Sequence, residues 1–135
     1  MVEEIMVEKL ISSLQRFAEE DFPVPTVSKH LQNLSLNDNS LNDYVFYKKE
    51  FYTRNLIYRE KNFEILVICW PPKTDAPIHG HEGEKCWARV ESGNLSIGNY
   101  QMISDSPLEL NMINELSCDA GYLDGPADIH CVKNI

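Results

Sequence analysis

From residue 50 onward the chain is a succession of short runs rich in β-branched and aromatic residues, each closed by a turn signal. No other feature restricts the fold as much. Phe51–Arg59 and Phe63–Trp70 read as strands joined by the polar turn Glu60–Asn62, and Pro71 and Pro72 end the second. Further strand candidates are Pro77–His81, Cys86–Glu91, Leu95–Met102, Leu108–Ile113, Gly121–Leu123 and Ile129–Val132. Gly93–Asn94 reads as a tight hairpin turn. Short, regularly spaced strands predict a barrel or a sandwich.

Before residue 50 the period is different. Val2, Ile5, Met6, Leu10, Leu14 and Phe17 recur at helical spacing with Glu and Lys between them. Pro23 and Pro25 stop that helix. Thr26 is placed to cap a second one running through Leu34, with Val27, Leu31 and Leu34 on one face. A polar loop at Asn37–Asn42 and a helical turn around Tyr44–Tyr47 complete the segment. The 135 residues amount to one domain. The expectation is a helical cap over 1–48 on an all-β body over 50–135, with no internal repeat.

Composition narrows the function classes. With 43% hydrophobic and 24% charged residues the chain has material for a packed core, which argues against disorder. A net charge of -9 disfavours nucleic acid and anionic membranes, both of which need clustered Lys and Arg. The longest apolar run, Ile65–Trp70, is too short to span a bilayer. The acidic N-terminus, MVEEIMVEKL, lacks the features of a signal peptide, so a cytoplasmic location is expected. Cys69, Cys86, Cys118 and Cys131 contain no CxxC pair, and four free thiols are the expectation in that compartment.

His79-Gly80-His81 carries the chemistry. Residues two apart on a strand face the same way, so both imidazoles can reach one metal from one side. Cys86 and then Gly93 follow, and further along come Gly121, Pro126, His130 and Asn134. These positions resemble the two motifs of the cupin superfamily. Cys86 stands where the first motif usually has a ligating Glu. In the second motif Asp128 replaces a Gly, and His130 lies one residue nearer Pro126 than the pattern asks.

A cupin with HxH, Cys in place of Glu and a later His resembles the type I cysteine dioxygenase family. Cys69-Trp70 ahead of the HxH, the segment Phe51-Tyr52-Thr53-Arg54-Asn55-Leu56 and the helical N-terminus agree with it. The resemblance covers roughly residues 5 to 135. It implies a mainly β fold, a small cupin-type barrel or jelly roll. It also implies one Fe(2+) per chain on His79, His81 and His130, and conversion of L-cysteine and O2 to cysteine sulfinic acid in cysteine catabolism and taurine biosynthesis. The family is mostly monomeric.

The donor set suits that chemistry. Three neutral imidazoles leave the iron its full double charge, which a two-His, one-carboxylate triad would halve. Such a centre favours a thiolate, which metal binding deprotonates. Three protein ligands leave room for an aminothiol, by sulfur and nitrogen, and for O2; oxidation then takes the sulfur to the sulfinic level. The resemblance assigns the substrate carboxylate to Arg54, whose guanidinium can grip it with two hydrogen bonds. Relatives preferring 3-mercaptopropionate generally have Gln there, so Arg54 favours L-cysteine. Otherwise Arg54 is a surface strand residue in a weak ion pair. Tyr52 shares a face with Arg54 and is either a pocket hydroxyl or a core ring. Cys86 is either a small buried residue or, as the family implies, half of a thioether crosslink to a Tyr near the metal. Cys131 should point away from His130 across the strand. A carboxylate from Glu82 or Glu84 would instead restore a mixed triad.

In the family a later strand carries a Ser-x-His-x-Tyr segment that supplies the crosslinking Tyr. Here Ile135 follows His130 by five residues and no Tyr follows Tyr122. The expectation is a fragment or a short member whose barrel lacks its closing strands and leaves edges unpaired. A metal-binding cupin without catalysis, and a cupin enzyme of another class holding Zn or Mn, are the alternatives.

Overall fold

The computed structural model describes residues 3–81 and 83–135. About half of the chain is strand, and the helices are confined to its first third, in agreement with the mainly β cupin-type expectation. The chain divides into two compact units, residues 1–71 and 72–135. No helix among the described residues is long and apolar enough to cross a membrane.

In the first unit, β1 (Glu3–Ile5) leads into α1 (Val7–Glu19), α2 (Val24–Asn33) and β2 (Leu34–Leu36). The short helix α3 (Asp38–Leu41) and a 3-10 turn at Asn42–Tyr44 follow, then the strands β3 (Thr53–Arg59) and β4 (Glu64–Cys69). Ile5, Leu10 and Leu34 are buried together, with Leu14, Leu31, Leu36 and Ile65 against them. Three expectations are corrected here. Residues 3–5 form a strand, because they pair in parallel with Leu34–Leu36 and Ile5 enters the core that way. Val2 lies outside the described residues. The second helix begins at Val24 with Pro23 as its cap residue, so Thr26 is interior. A proline in the first helical turn removes only an N–H that would be unpaired anyway. Asp38–Leu41, expected in a loop, is helical, capped by the Asn37 side chain accepting from the Asn39 N–H.

In the second unit, β5 (Thr74–Gly80), β6 (Cys86–Arg89), β7 (Asn94–Asp105), β8 (Leu108–Asp119), β9 (Leu123–Ala127) and β10 (Ile129–Asn134) form two antiparallel arrangements. One is a four-stranded sheet in the order β5-β10-β7-β8, and the other pairs β6 with β9. Ala76, Val90, Ile97, Cys118, Ala127, Cys131 and Val132 are buried. The expected hairpin at Gly93–Asn94 is corrected: Gly93 turns at φ +78°, but it links β6 to β7, which belong to different sheets. The hairpin of this unit joins β7 to β8 at Ser106–Pro107, with Asp105 paired to Leu108. β8 extends to Asp119, beyond the expected Ile113, because its whole length pairs with β7. The last expected strand but one shifts from Gly121–Leu123 to Leu123–Ala127, where β6 supplies its partner.

Two irregularities in pairing position the site. Opposite His130 and Val132 of β10, the partners on β5 are His79 and Ala76, so β5 carries one extra residue beside His79. Opposite Cys86 and Ala88 of β6, the partners on β9 are Ala127 and Asp124, so β9 also carries an extra residue. A bulge of this kind re-aims the side chains around it. At the second, Gly125 sits at φ +126°, and a Cβ there would meet the Cys86 carbonyl oxygen at 2.5 Å and the Trp87 Cα at 3.0 Å. Only glycine fits. The bulge buries Asp124 and Ala127 together although they lie three residues apart.

Candidate metal centre

His79 and His130 are direct cross-strand partners on β5 and β10, so their side chains leave the sheet on one face. His81 follows the end of β5. The three rings stand nearly edge to face, with centroids 4.6 Å apart for His79–His130, 4.8 Å for His81–His130 and 5.2 Å for His79–His81. One ligand nitrogen from each lies within 4.8 Å of the others. Burial rises along the set: His79 is exposed, His81 intermediate and His130 buried.

Each ring is held at its Nδ1 by a group that can only accept. The His79 Nδ1–H donates to the Pro77 carbonyl at 2.8 Å. The His81 Nδ1–H donates to the Asp128 carbonyl at 2.9 Å. The His130 Nδ1–H faces the Asp124 carboxylate, Oδ2, at 3.4 Å. A neutral imidazole with its proton on Nδ1 presents a bare lone pair at Nε2. The Nε2 atoms of His79 and His130 are 3.1 Å apart. Two lone pairs facing each other at that distance repel unless a shared proton or a metal ion lies between them. Two nitrogens each about 2.1 Å from one ion come about 3 Å apart when they meet at a right angle. The donor set therefore fits one metal ion with three imidazole ligands.

Asp124, which contacts His130, is the member of this cluster that sequence reasoning missed. It is 6% exposed, and its second oxygen accepts from Asn99 Nδ2 at 3.2 Å. The His130 N–H first, and the Asn99 amide with it, hold its carboxyl below the ordinary carboxylate value against the opposing effect of burial. The sequence signal would have been a lone Asp inside a Gly-Pro bulge, which period-two reasoning cannot assign to a face.

The other expected site residues fall as follows. Cys86 is half-buried on β6, opposite Ala127, and burial first, then the Asp124 charge, raises its thiol above the ordinary value. Cys131 points away from His130 as expected, with its Sγ 3.9 Å from the Tyr100 hydroxyl. All four cysteines are free thiols. Arg54 and Tyr52 belong to the first unit, where they line one cleft with Phe46, Lys48 and Phe51. The Arg54 side chain is exposed on β3, and Tyr52 stacks on Trp70 with centroids 4.6 Å apart. Glu84 is exposed and is not among the grouped ligands of the described residues; its N–H donates to the His81 carbonyl at 2.9 Å. Glu82 lies outside the described residues.

Known proteins match the chain over most of its length. The family described as cysteine dioxygenase type I matches residues 4–135. Cysteine dioxygenase type 1 of Bos taurus is 24% identical over 127 residues, covering 90% of this chain and 62% of that protein. The Homo sapiens protein of the same name is 23% identical over the same length and coverage. That of Danio rerio is 23% identical over 138 residues, covering 96% of this chain and 67% of its own. The chain thus spans less than two thirds of the length of the cattle and human relatives. With a match over nearly all of its residues, the chain belongs to the cysteine dioxygenase type I family.

Proposed function

We propose that this protein is a non-haem iron thiol dioxygenase that converts L-cysteine and O2 to cysteine sulfinic acid. The observation that carries the reading is the set of three imidazoles with every Nδ1 occupied by an acceptor and the nitrogens gathered on one face. Family membership supports it. His79, His81 and His130 would hold one Fe(2+) per chain. When bound, the iron would supply a site where thiolate sulfur and O2 react.

The chain's own residues prepare that site. The Pro77 and Asp128 carbonyls and the Asp124 carboxylate each accept from an Nδ1–H, which orients the rings with Nε2 as the nitrogen turned toward the metal. Burial of His130 limits water on that side. We assign Arg54 to the substrate carboxylate, supported by its exposed guanidinium and by the segment Tyr52-Thr53-Arg54-Asn55-Leu56. Tyr52 is assigned beside it as a second substrate contact. Cys86 is assigned a role in turnover as the cysteine available for a thioether. The 135 residues are taken as one cupin domain of a monomeric cytoplasmic enzyme of cysteine catabolism, with a small molecule and O2 as its partners.

Oxygen uptake by Fe(2+)-loaded protein tests the reading, with L-cysteine and 3-mercaptopropionate compared and sulfinate quantified. Uptake with L-cysteine that disappears in His81→Ala is the expected result. Stoichiometric iron binding without uptake would leave a metal-binding cupin that lacks the activity. Uptake only with 3-mercaptopropionate would move the substrate to the other thiol.

A further inference from the structure

We propose that Asp124 is a positioning residue for the metal, acting through His130 to set how tightly the site holds its ion and where that ion's reduction potential lies. The inference rests on reading the three histidines as an iron site.

The three histidines are not equivalent. Behind His79 and His81 stand backbone carbonyls, which carry a dipole but no charge. Behind His130 stands a carboxylate that is itself 6% exposed. Its position is fixed from two sides. The bulge at Gly125 turns Asp124 inward, with no room for a side chain at the turn. Asn99, directly opposite His130 in the β7–β10 register, donates to its other oxygen at 3.2 Å. A carboxylate on the far nitrogen of a ligating imidazole fixes its tautomer and makes the ligating nitrogen a stronger donor. A negative charge kept out of water also favours the more positive state of a nearby ion. The centre is therefore three imidazoles with one outer carboxylate, and it is less electropositive than the three ligands alone imply.

Asp124→Asn keeps the shape and removes the charge. Asn99 still donates to the oxygen on its side, so the new amide nitrogen turns toward His130 Nδ1. That nitrogen must then accept, which moves the ring proton to Nε2, the atom needed for the metal. Asn99→Ala keeps the charge and removes only the anchor.

The test is a competition titration of the metal-free protein with Co(2+), with the urea midpoint of each variant as a fold control. The Fe(III)/Fe(II) midpoint potential of the iron-loaded protein is read beside it. The expected result is Co(2+) binding about 10–100-fold weaker in Asp124→Asn, with a higher potential. Asn99→Ala should show a smaller change in the same direction. Wild-type affinity and potential in Asp124→Asn would overturn the proposal. Should Asp124→Asn not fold, wild-type values in Asn99→Ala would overturn it, since the anchor would then not matter. If the wild-type protein itself binds no Co(2+), the metal site falls and this inference with it, an outcome distinct from tight binding that Asp124 does not influence.

Discussion

His79 and His130 stand opposite each other on antiparallel strands, with their Nε2 atoms 3.1 Å apart and each Nδ1 already committed to an acceptor. The geometry of the candidate metal site is thereby set by the pairing of β5 with β10, because sliding either strand by one residue would send one imidazole to the other face.

Removing the buried partner of that pair should cost more than removing the exposed one. His130→Ala leaves the Asp124 carboxylate buried without its imidazole partner, with Asn99 still donating to it, a loss of about 3 kcal/mol. His79 is exposed, and His79→Ala should cost under about 1 kcal/mol. Urea unfolding of the metal-free variants measures both. Equal losses would show that Asp124 does not depend on His130.

Gly125→Ala should be among the most damaging single-methyl additions in the chain. The new Cβ would meet backbone atoms of Cys86 and Trp87 that cannot swing aside, and φ +126° is strained for any other residue. A loss of about 3 kcal/mol is expected, together with weaker metal binding, because the same bulge aims Asp124. Thermal unfolding and Co(2+) titration check the two effects. Gly93→Ala is the control: φ is +78° there, but nothing lies within 4 Å.

The fold was legible in the sequence in its local parts. The expected strand Pro77–His81 is β5, Thr74–Gly80, so His81 lies just past its end, yet both imidazoles join His130 in one group. The β-branched runs marked β3 and β4 to within two residues of their ends. Errors arose where a distant partner decides. Ile5 looks helical by spacing but pairs with Leu34–Leu36, and the far half of β8 is a strand because β7 runs beside it. Asp124 was invisible for the same reason: its face is set by a bulge against β6, and its partners come from β7 and β10. His130 was found only through the family resemblance, since nothing local to residues 129–134 says which strand lies beside it.

Alkaline pH should weaken the fold through two thiols. Burial is the first cause that raises both Cys86 and Cys118 above their ordinary 9.0. The unfolded chain then releases these protons at a lower pH than the folded one. The stability they contribute is complete below about pH 9 and is lost as pH rises toward the folded values. Urea midpoints from pH 8 to 10 should fall, and more gently in Cys118→Ala. A midpoint independent of pH over that range would contradict the raised values.

Arg54→Ala separates substrate binding from folding. The side chain is exposed on β3, so stability should change by less than about 0.5 kcal/mol and the iron content should hold. If Arg54 holds the substrate carboxylate as proposed, kcat/KM for L-cysteine should fall by about 100-fold, the loss of a two-hydrogen-bond grip. Unchanged kcat/KM would rule out Arg54 as the carboxylate contact.

The iron content of protein loaded anaerobically with Fe(2+) and then desalted tests the central claim most directly. The three-histidine centre predicts one iron per chain in the wild type and almost none in His81→Ala or His130→Ala, with the folded state retained in His81→Ala. Iron kept by both variants, or none bound by the wild type, would contradict it.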